Sequence, residues 1–185
     1  MGTRDAIVAG HLSALARMVA QWRAGYPLAK EEFEALCKYE WENIRRLEEH
    51  IAHVADMIAK LAQMLKQAYT DMVRADKELQ AAKERLSVAG SGSPEASAAQ
   101  ADVARCTENY RAARWRHMKI NEKKKEEEDF KARLDKDLEK WKDALAQFRK
   151  TGEQRLLELE KQHQQLEAQA DRAIQLTQEG QVRGA

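Results

Sequence analysis

One uninterrupted segment constrains the fold more than any other part of the sequence. Residues 28–88 contain neither glycine nor proline, and apolar or small side chains recur in them at alternating spacings of three and four. This pattern is typical of a helix that packs along its length against another helix. At about 1.5 Å per residue, such a helix would span roughly 90 Å. The seam comprises Ile44, Leu47, Ile51, Val54, Ile58, Leu61, Leu65, Ala68, Met72, Ala75, Leu79, Ala82 and Leu86.

Two clusters of helix-breaking residues divide the chain. The stretch "AGYP" ends a first helix, and "SVAGSGSPEAS" separates a second helix from a third. Ser93 is expected to cap the third helix, with Pro94 at its first position. The sequence therefore predicts one helical domain, residues 1–185, in which the chain reverses at the second break. Its predicted helices are residues 4–24, 28–88 and 95–178, with a tip loop at 87–97.

A second apolar stripe follows on the third helix and continues through Leu156, Leu159 and Leu166. The two stripes are wider than a single pair of helices can bury. We therefore predict an all-α fold, a long antiparallel helical hairpin or coiled-coil bundle that forms an elongated homodimer. The residues expected in the core or the dimer seam are Ile51, Val54, Ile58, Leu61, Leu65, Phe130, Leu134, Leu138, Trp141, Leu145 and Phe148.

Positive charge is concentrated around the tip. Residues 60–125 hold 14 Lys and Arg against 8 Asp and Glu, whereas the whole chain has a net charge of +1. Such a region attracts polyanions, either anionic lipid headgroups or nucleic acid. Nucleic acid is the less favoured partner because the near-neutral chain lacks a strongly basic footprint. The candidate membrane-binding residues are Lys77, Lys83, Arg85, Arg105, Arg111, Arg114, Arg116 and Lys119.

One feature weakens this interpretation, and another supports it. Charge runs on helices are commonly solvated faces, and the run of residues 123–129, "KKKEEED", can form ion pairs within itself. Trp115, between two arginines, is expected at the boundary between the core and the basic face, within reach of a lipid interface.

Catalytic patterns are not found in the sequence. The "GSGS" of the tip lacks the Lys-Ser/Thr of a phosphate-binding loop. His50 and His53 lack the Glu-x-x-His spacing of di-iron bundles. We therefore predict a non-enzymatic protein without metal or cofactor, in which Cys37 and Cys106 are small core residues of a reducing compartment. With no apolar run of about 18–20 residues and no signal peptide, a cytoplasmic location is expected.

The order of these features resembles a known family. The segments "AYTDMVRADKELQAAKERL", residues 68–86, and "EEEDFKARLDKDLEKWKDALAQFRKTGEQRLLELEKQHQQL", residues 126–166, resemble the second and third helices of BAR domains. The likeness is greatest to the BAR domains of sorting nexins and covers about residues 30–175. The first predicted helix is short for this family, and nothing resembles a PX domain.

The resemblance implies a crescent-shaped dimer whose basic surfaces bind anionic membranes and sense or scaffold their curvature. It also implies a peripheral location on endosomal membranes, with a second BAR protein or a coat component as a partner. The alternative is a coiled-coil scaffold or tether without a membrane role, since such proteins share this composition.

Overall fold

The computed structural model describes the backbone of residues 3–183 and the side chains of residues 6–177. This part of the chain is all-α and contains no strand, which confirms the all-α character of the predicted fold. The helices are α1 (Thr3–Arg23), α2 (Lys30–Val88) and α3 (Pro94–Arg183). Compared with the prediction, α2 begins at Lys30 and not at residue 28, and α3 continues to Arg183 and not to residue 178.

The connection after α1 is a glycine-dependent helix end. The Tyr26 amide donates to the Gln21 carbonyl, and the Gly25 amide donates to the Trp22 carbonyl, both at 3.1 Å. Gly25 has φ = 91°, a left-handed conformation that side-chain-bearing residues rarely adopt. These bonds satisfy the last carbonyl groups of the helix and end it as a Schellman motif.

The connection between α2 and α3 contains the predicted cap. The amide of Ala96 donates to Ser93 Oγ at 3.1 Å, and α3 begins at Pro94. Gly92 has φ = 81°, so this turn also relies on glycine. The predicted roles of Ser93 and Pro94 are thereby confirmed, and the turn is shorter than residues 87–97 because α2 continues to Val88.

The chain forms two compact units. The three-helix unit comprises residues 3–48 and 136–183, and the two-helix unit comprises residues 49–135. The rings of Trp22, Phe33 and Phe148, one from each helix, form the centre of the three-helix unit. Their centroids lie 4.7 to 5.6 Å apart.

The two-helix unit has smaller buried side chains. Leu79 and Ala82 of α2 pack against Cys106 of α3, and Val103 and Tyr110 cover this cluster. Since these residues precede and follow the turn, the chain reverses direction between them. With two helices only, this unit buries a narrow row of side chains.

The predicted seam residues divide according to how well they are covered. The buried ones are Ile51, Val54, Leu134, Leu138, Trp141, Leu145 and Phe148. The partly buried ones are Ile58, Leu61, Leu65 and Phe130. All four of the partly buried residues belong to the two-helix unit, where no third helix covers them.

Candidate functional site

The packing of α2 against α3 determines which side chains of the two-helix unit face outward. Cys106 is buried against Leu79 and Ala82, so its side of α3 faces α2. One ion pair joins the two helices near the turn, where Arg85 Nη2 lies 3.5 Å from Asp102 Oδ2. Because a helix turns about 100° per residue, the other positions of α3 can be placed relative to Cys106.

Trp115 lies on the side of α3 that faces away from α2. It follows Cys106 by nine residues, which is about 180° around the helix. Its side chain is 59% exposed, and that of Met118 is 46% exposed. The interpretation of Trp115 as a residue at the edge of the core is therefore wrong. The sequence pattern did not decide which residues of the less regular third helix would face α2.

Four of the eight predicted membrane-binding residues form ion pairs with neighbouring acids. Arg85 and Arg105 share the carboxylate of Asp102, and the distance from Arg105 Nη2 to Asp102 Oδ1 is 3.0 Å. Arg111 pairs with Glu108 at 3.0 Å, and Lys119 pairs with Glu122 at 2.7 Å. All four bases remain exposed. Exposed ion pairs of this kind contribute only about 0.2–1 kcal/mol to the free energy of folding. These bases can therefore leave their partners and bind a stronger anion.

The other four predicted residues, Lys77, Lys83, Arg114 and Arg116, are exposed and make no ion pair within residues 6–177. Arg114 and Arg116 lie about 100° to either side of Trp115 around α3. Lys77 is two residues from each of the buried Ala75 and Leu79, so it faces away from α3.

The eight residues therefore surround the two-helix unit and do not form a single face. One coherent group stands out on the outer side and flanks of α3. It consists of Arg111, Arg114, Arg116 and Lys119 around Trp115, and we call it the α3 basic surface. Lys77 lies on the opposite side of the unit.

The lysine run that follows on α3 is largely paired with the acidic run. Lys123 Nζ lies 2.8 Å from Glu127 Oε1, and Lys124 pairs with Glu128. The hydrogen bond to Glu127 raises the pKa of the Lys123 ammonium group. This stretch therefore provides less free positive charge than its composition suggests, and it does not extend the α3 basic surface.

A buried polar cluster in the three-helix unit was missed by the sequence analysis. The indole Nε1 of Trp141 donates to Glu40 Oε2 at 2.9 Å, and His11 Nδ1 lies 2.9 Å from Glu40 Oε1. Glu40 is only 3% exposed. A signal was present, since Glu40 lies four residues before Ile44, on the buried side of α2. The cluster connects all three helices.

An open groove of about 800 Å³ lies beside the start of α2. Phe33, Cys37 and Leu156 are among the residues that line it, together with charged side chains of both signs. Burial raises the pKa of the Cys37 thiol, which lowers its reactivity at neutral pH.

The last part of α3 is exposed on every side. Residues 160–177 are all exposed, including the apolar Leu166, Ile174 and Leu176. The exposed fraction of Leu166 is 64%, and that of Leu176 is 69%. The exposed apolar side chains make this segment a second candidate surface for association.

Two further properties bear on the candidate functions. Within the described residues, no three or more His, Cys, Asp or Glu side chains are grouped closely enough to hold a metal ion. The helices in the same part of the chain also include none that is both long and apolar enough to cross a bilayer.

Comparison of the chain with models of protein families, with curated proteins and with solved structures finds no match.

Proposed function

We propose that this protein is a peripheral membrane protein that binds anionic bilayers through the α3 basic surface. The observation that carries the proposal is the group of four exposed bases around an outward-facing tryptophan. Two of them, Arg114 and Arg116, have no acidic partner within the described residues. Acidic headgroups are the complementary ligand for such a surface.

The expected strength follows from the number of bases that can reach the bilayer together. Each base near an anionic surface contributes about 1 kcal/mol to the free energy of membrane binding. Four bases therefore contribute about 4 kcal/mol, which raises the partition coefficient roughly a thousandfold. Arg111 and Lys119 must exchange their present acidic partners for lipid. That exchange is inexpensive because exposed ion pairs are weak.

We further propose a homodimer of BAR-like form that senses or scaffolds membrane curvature on endosomal membranes. Its support is the resemblance of α2 and α3 to BAR helices and the incomplete cover of the seam. Leu61 and Leu65 are only partly buried, and Met57 and Met64 beside them are exposed. A second copy would cover these side chains, and a second BAR protein or a coat component would be a further partner.

Co-sedimentation with liposomes tests membrane binding. The wild type should pellet with anionic vesicles and remain in solution with neutral ones, and added salt should weaken binding because it screens the charges. The double variant Arg111→Glu/Arg114→Glu should lose binding while keeping its helicity. Binding that survives both this variant and high salt would contradict the proposal.

A matched pair of single variants tests which side of the two-helix unit faces the bilayer. Arg114→Glu and Lys77→Glu make the same charge change at exposed, unpaired positions on different sides. Arg114→Glu should weaken partition about tenfold or more, and Lys77→Glu should have a much smaller effect. Equal effects would show that net charge, and not the α3 basic surface, determines binding.

Light scattering tests the dimer. The wild type should have twice the mass of one chain at micromolar concentration. Leu61→Asp or Leu65→Asp should dissociate or unfold it, because a charge at the seam loses its hydration without a partner. A fully helical monomer of the wild type would contradict the dimer.

The exposed end of α3 favours a second candidate function, a coiled-coil scaffold or tether without a membrane role. The apolar residues Leu166, Ile174 and Leu176 would then bind a helix of a partner protein. Failure of the wild type to bind anionic vesicles, together with association that depends on Leu166, would favour this function over membrane binding.

A further inference from the structure

We infer that Trp115 is the membrane anchor of the α3 basic surface, and that its indole inserts into the interfacial layer of an anionic bilayer. The inference rests on the proposed membrane binding and adds a short-range apolar contact to a long-range electrostatic one. It assigns a function to a side chain that has no role in the packing of α2 against α3.

The position of Trp115 differs from that of the other tryptophans. Trp22 and Trp141 are buried in the three-helix unit, where their rings stabilise the core. Trp115 is 59% exposed and lies opposite Cys106, so it cannot stabilise the pair of helices in the same way. Trp41 is similarly exposed, at 55%, but belongs to the three-helix unit.

Exposure alone would not identify a binding residue, because single exposed apolar side chains are common. The distinguishing feature of Trp115 is its setting. Arg111 and Lys119 lie four residues before and after it, one helical turn away on the same side. Arg114 and Arg116 adjoin it on the two flanks. Basic side chains therefore lie before Trp115, after it and on both of its flanks along α3.

This arrangement is complementary to an anionic bilayer: the bases suit the headgroups, and the indole suits the layer beneath them. The bases attract the headgroups and hold the outer side of α3 against them. An indole prefers the layer between headgroup and acyl chain, because its ring is apolar and its N–H can donate a hydrogen bond. Met118, one turn further along α3 and 46% exposed, adds apolar area beside the ring.

The nearest acids do not oppose this contact. Glu108 and Glu122 each lie seven residues from Trp115, and each is paired with a base of the same surface. Within one turn of Trp115 along α3, the only Lys, Arg, Asp or Glu side chains are therefore basic. A protein partner is the competing occupant of such a surface, and the experiment below distinguishes it from lipid.

The experiment compares Trp115→Ala with Trp41→Ala on vesicles of phosphatidylserine and phosphatidylcholine in equal parts. Both changes remove an exposed tryptophan from a helix, so both variants should keep wild-type helicity by circular dichroism. Trp115→Ala should weaken partition about tenfold, the effect expected for half-burying a large aromatic side chain. Trp41→Ala should leave partition unchanged.

A second measurement tests insertion directly. Brominated phosphatidylcholine quenches the fluorescence of indoles that enter the bilayer, so vesicles containing it should quench the wild type. Quenching should be largely lost in Trp115→Phe, which keeps an aromatic ring and the helix but removes the fluorophore.

The outcomes separate this inference from the proposed function. Absence of wild-type binding to these vesicles would overturn membrane binding itself. Wild-type binding that Trp115→Ala leaves intact, or binding without quenching, would overturn the anchor and leave the electrostatic contact standing. Loss of self-association in Trp115→Ala, measured by light scattering without lipid, would place the indole in a protein interface instead.

Discussion

The three-helix unit and the two-helix unit use the same two long helices but stabilise them differently. In the three-helix unit, α1 supplies a third surface, and rings from all three helices meet at Trp22, Phe33 and Phe148. In the two-helix unit, the row of Ala68, Ala75 and Ala82 is buried between two helices alone. The free energy gained from burying apolar side chains is proportional to the area removed from water. The three-helix unit should therefore be the more stable of the two.

The same difference bears on where the proposed membrane-binding surface lies. In a pair of helices, each helix covers only one face of the other. The two-helix unit therefore leaves large parts of its surface available to a partner. The α3 basic surface and Trp115 belong to it. The buried polar cluster of Glu40, His11 and Trp141 belongs to the three-helix unit, where it satisfies polar groups within the core. Four predictions test and compare the packing within these units, from the largest expected effect to the smallest.

The largest contrast is expected between Leu145→Ala and Leu79→Ala. Both leucines are buried, the first in the three-helix unit and the second in the two-helix unit. The cost of such a change depends on how well the site can collapse around the cavity. We expect a loss of about 4 kcal/mol in the free energy of unfolding for Leu145 and about 2 kcal/mol for Leu79.

Urea unfolding followed by circular dichroism and by tryptophan fluorescence measures both losses. The fluorescence signal reports mainly on the buried Trp22 and Trp141, and hence on the three-helix unit. Equal losses for the two variants would contradict a difference in packing between the units.

The next effect concerns the buried carboxylate. Glu40→Ala removes the acceptor of the Trp141 indole N–H and leaves that donor buried and unsatisfied. Such a group costs about 1–3 kcal/mol in the free energy of unfolding. Glu40→Gln keeps an acceptor oxygen at a similar position, so its loss should be smaller. If the two variants were equally destabilised, the charge of Glu40 and not its hydrogen bond to Trp141 would be the important property.

A pair of glycine substitutions tests the tightness of the core. A Cβ atom at Gly152 would overlap the ring of Phe33, which packs against both Trp22 and Phe148. We expect Gly152→Ala to destabilise the protein by about 1–3 kcal/mol through overpacking. Gly10 also lies in a helix but has open space around it, so Gly10→Ala should stabilise by up to about 1 kcal/mol. Thermal unfolding of the two variants should therefore shift in opposite directions, and a shift in the same direction would contradict the close contact.

The smallest effect concerns thiol reactivity rather than stability. Cys37 is partly buried and Cys106 is buried. Burial raises the pKa of the Cys37 thiol, so less thiolate is present at any given pH and alkylation should be slower than for a free cysteine. Mass spectrometry after iodoacetamide treatment should show Cys37 modified before Cys106, with a rate profile displaced to higher pH than that of a free cysteine. Earlier modification of Cys106 would mean that the two-helix unit opens more readily than its packing suggests.

Much of the helical layout could be predicted because it depends on local chemistry. Gly25, Gly92 and Pro94 stop or start helices by restricting the backbone, and Ser93 caps α3 with its own hydroxyl. The alternating spacing in α2 likewise identified the side of that helix that faces its neighbour. The candidate basic residues were also visible as a concentration of charge between residues 60 and 125.

The arrangement of the candidate site could not be predicted in the same way. Whether Trp115 faces α2 or solvent depends on the register of α3 against α2, which the packing of Cys106 on Leu79 and Ala82 determines. That register also separates Lys77 from the bases around Trp115. The spacing of bases along the chain carries no information about the direction in which each one faces.

The sequence by itself determined the three helices, the two breaks between them and the row of small residues along α2, because backbone preferences and side-chain periodicity act within a few residues. Only the tertiary structure decided that Glu40 is buried beside Trp141, that Gly152 contacts Phe33 and that Trp115 faces outward. Each of these properties depends on which distant side chain covers a given helix face. Burial is a relation between residues far apart in the chain, and contact between helices is required to establish it.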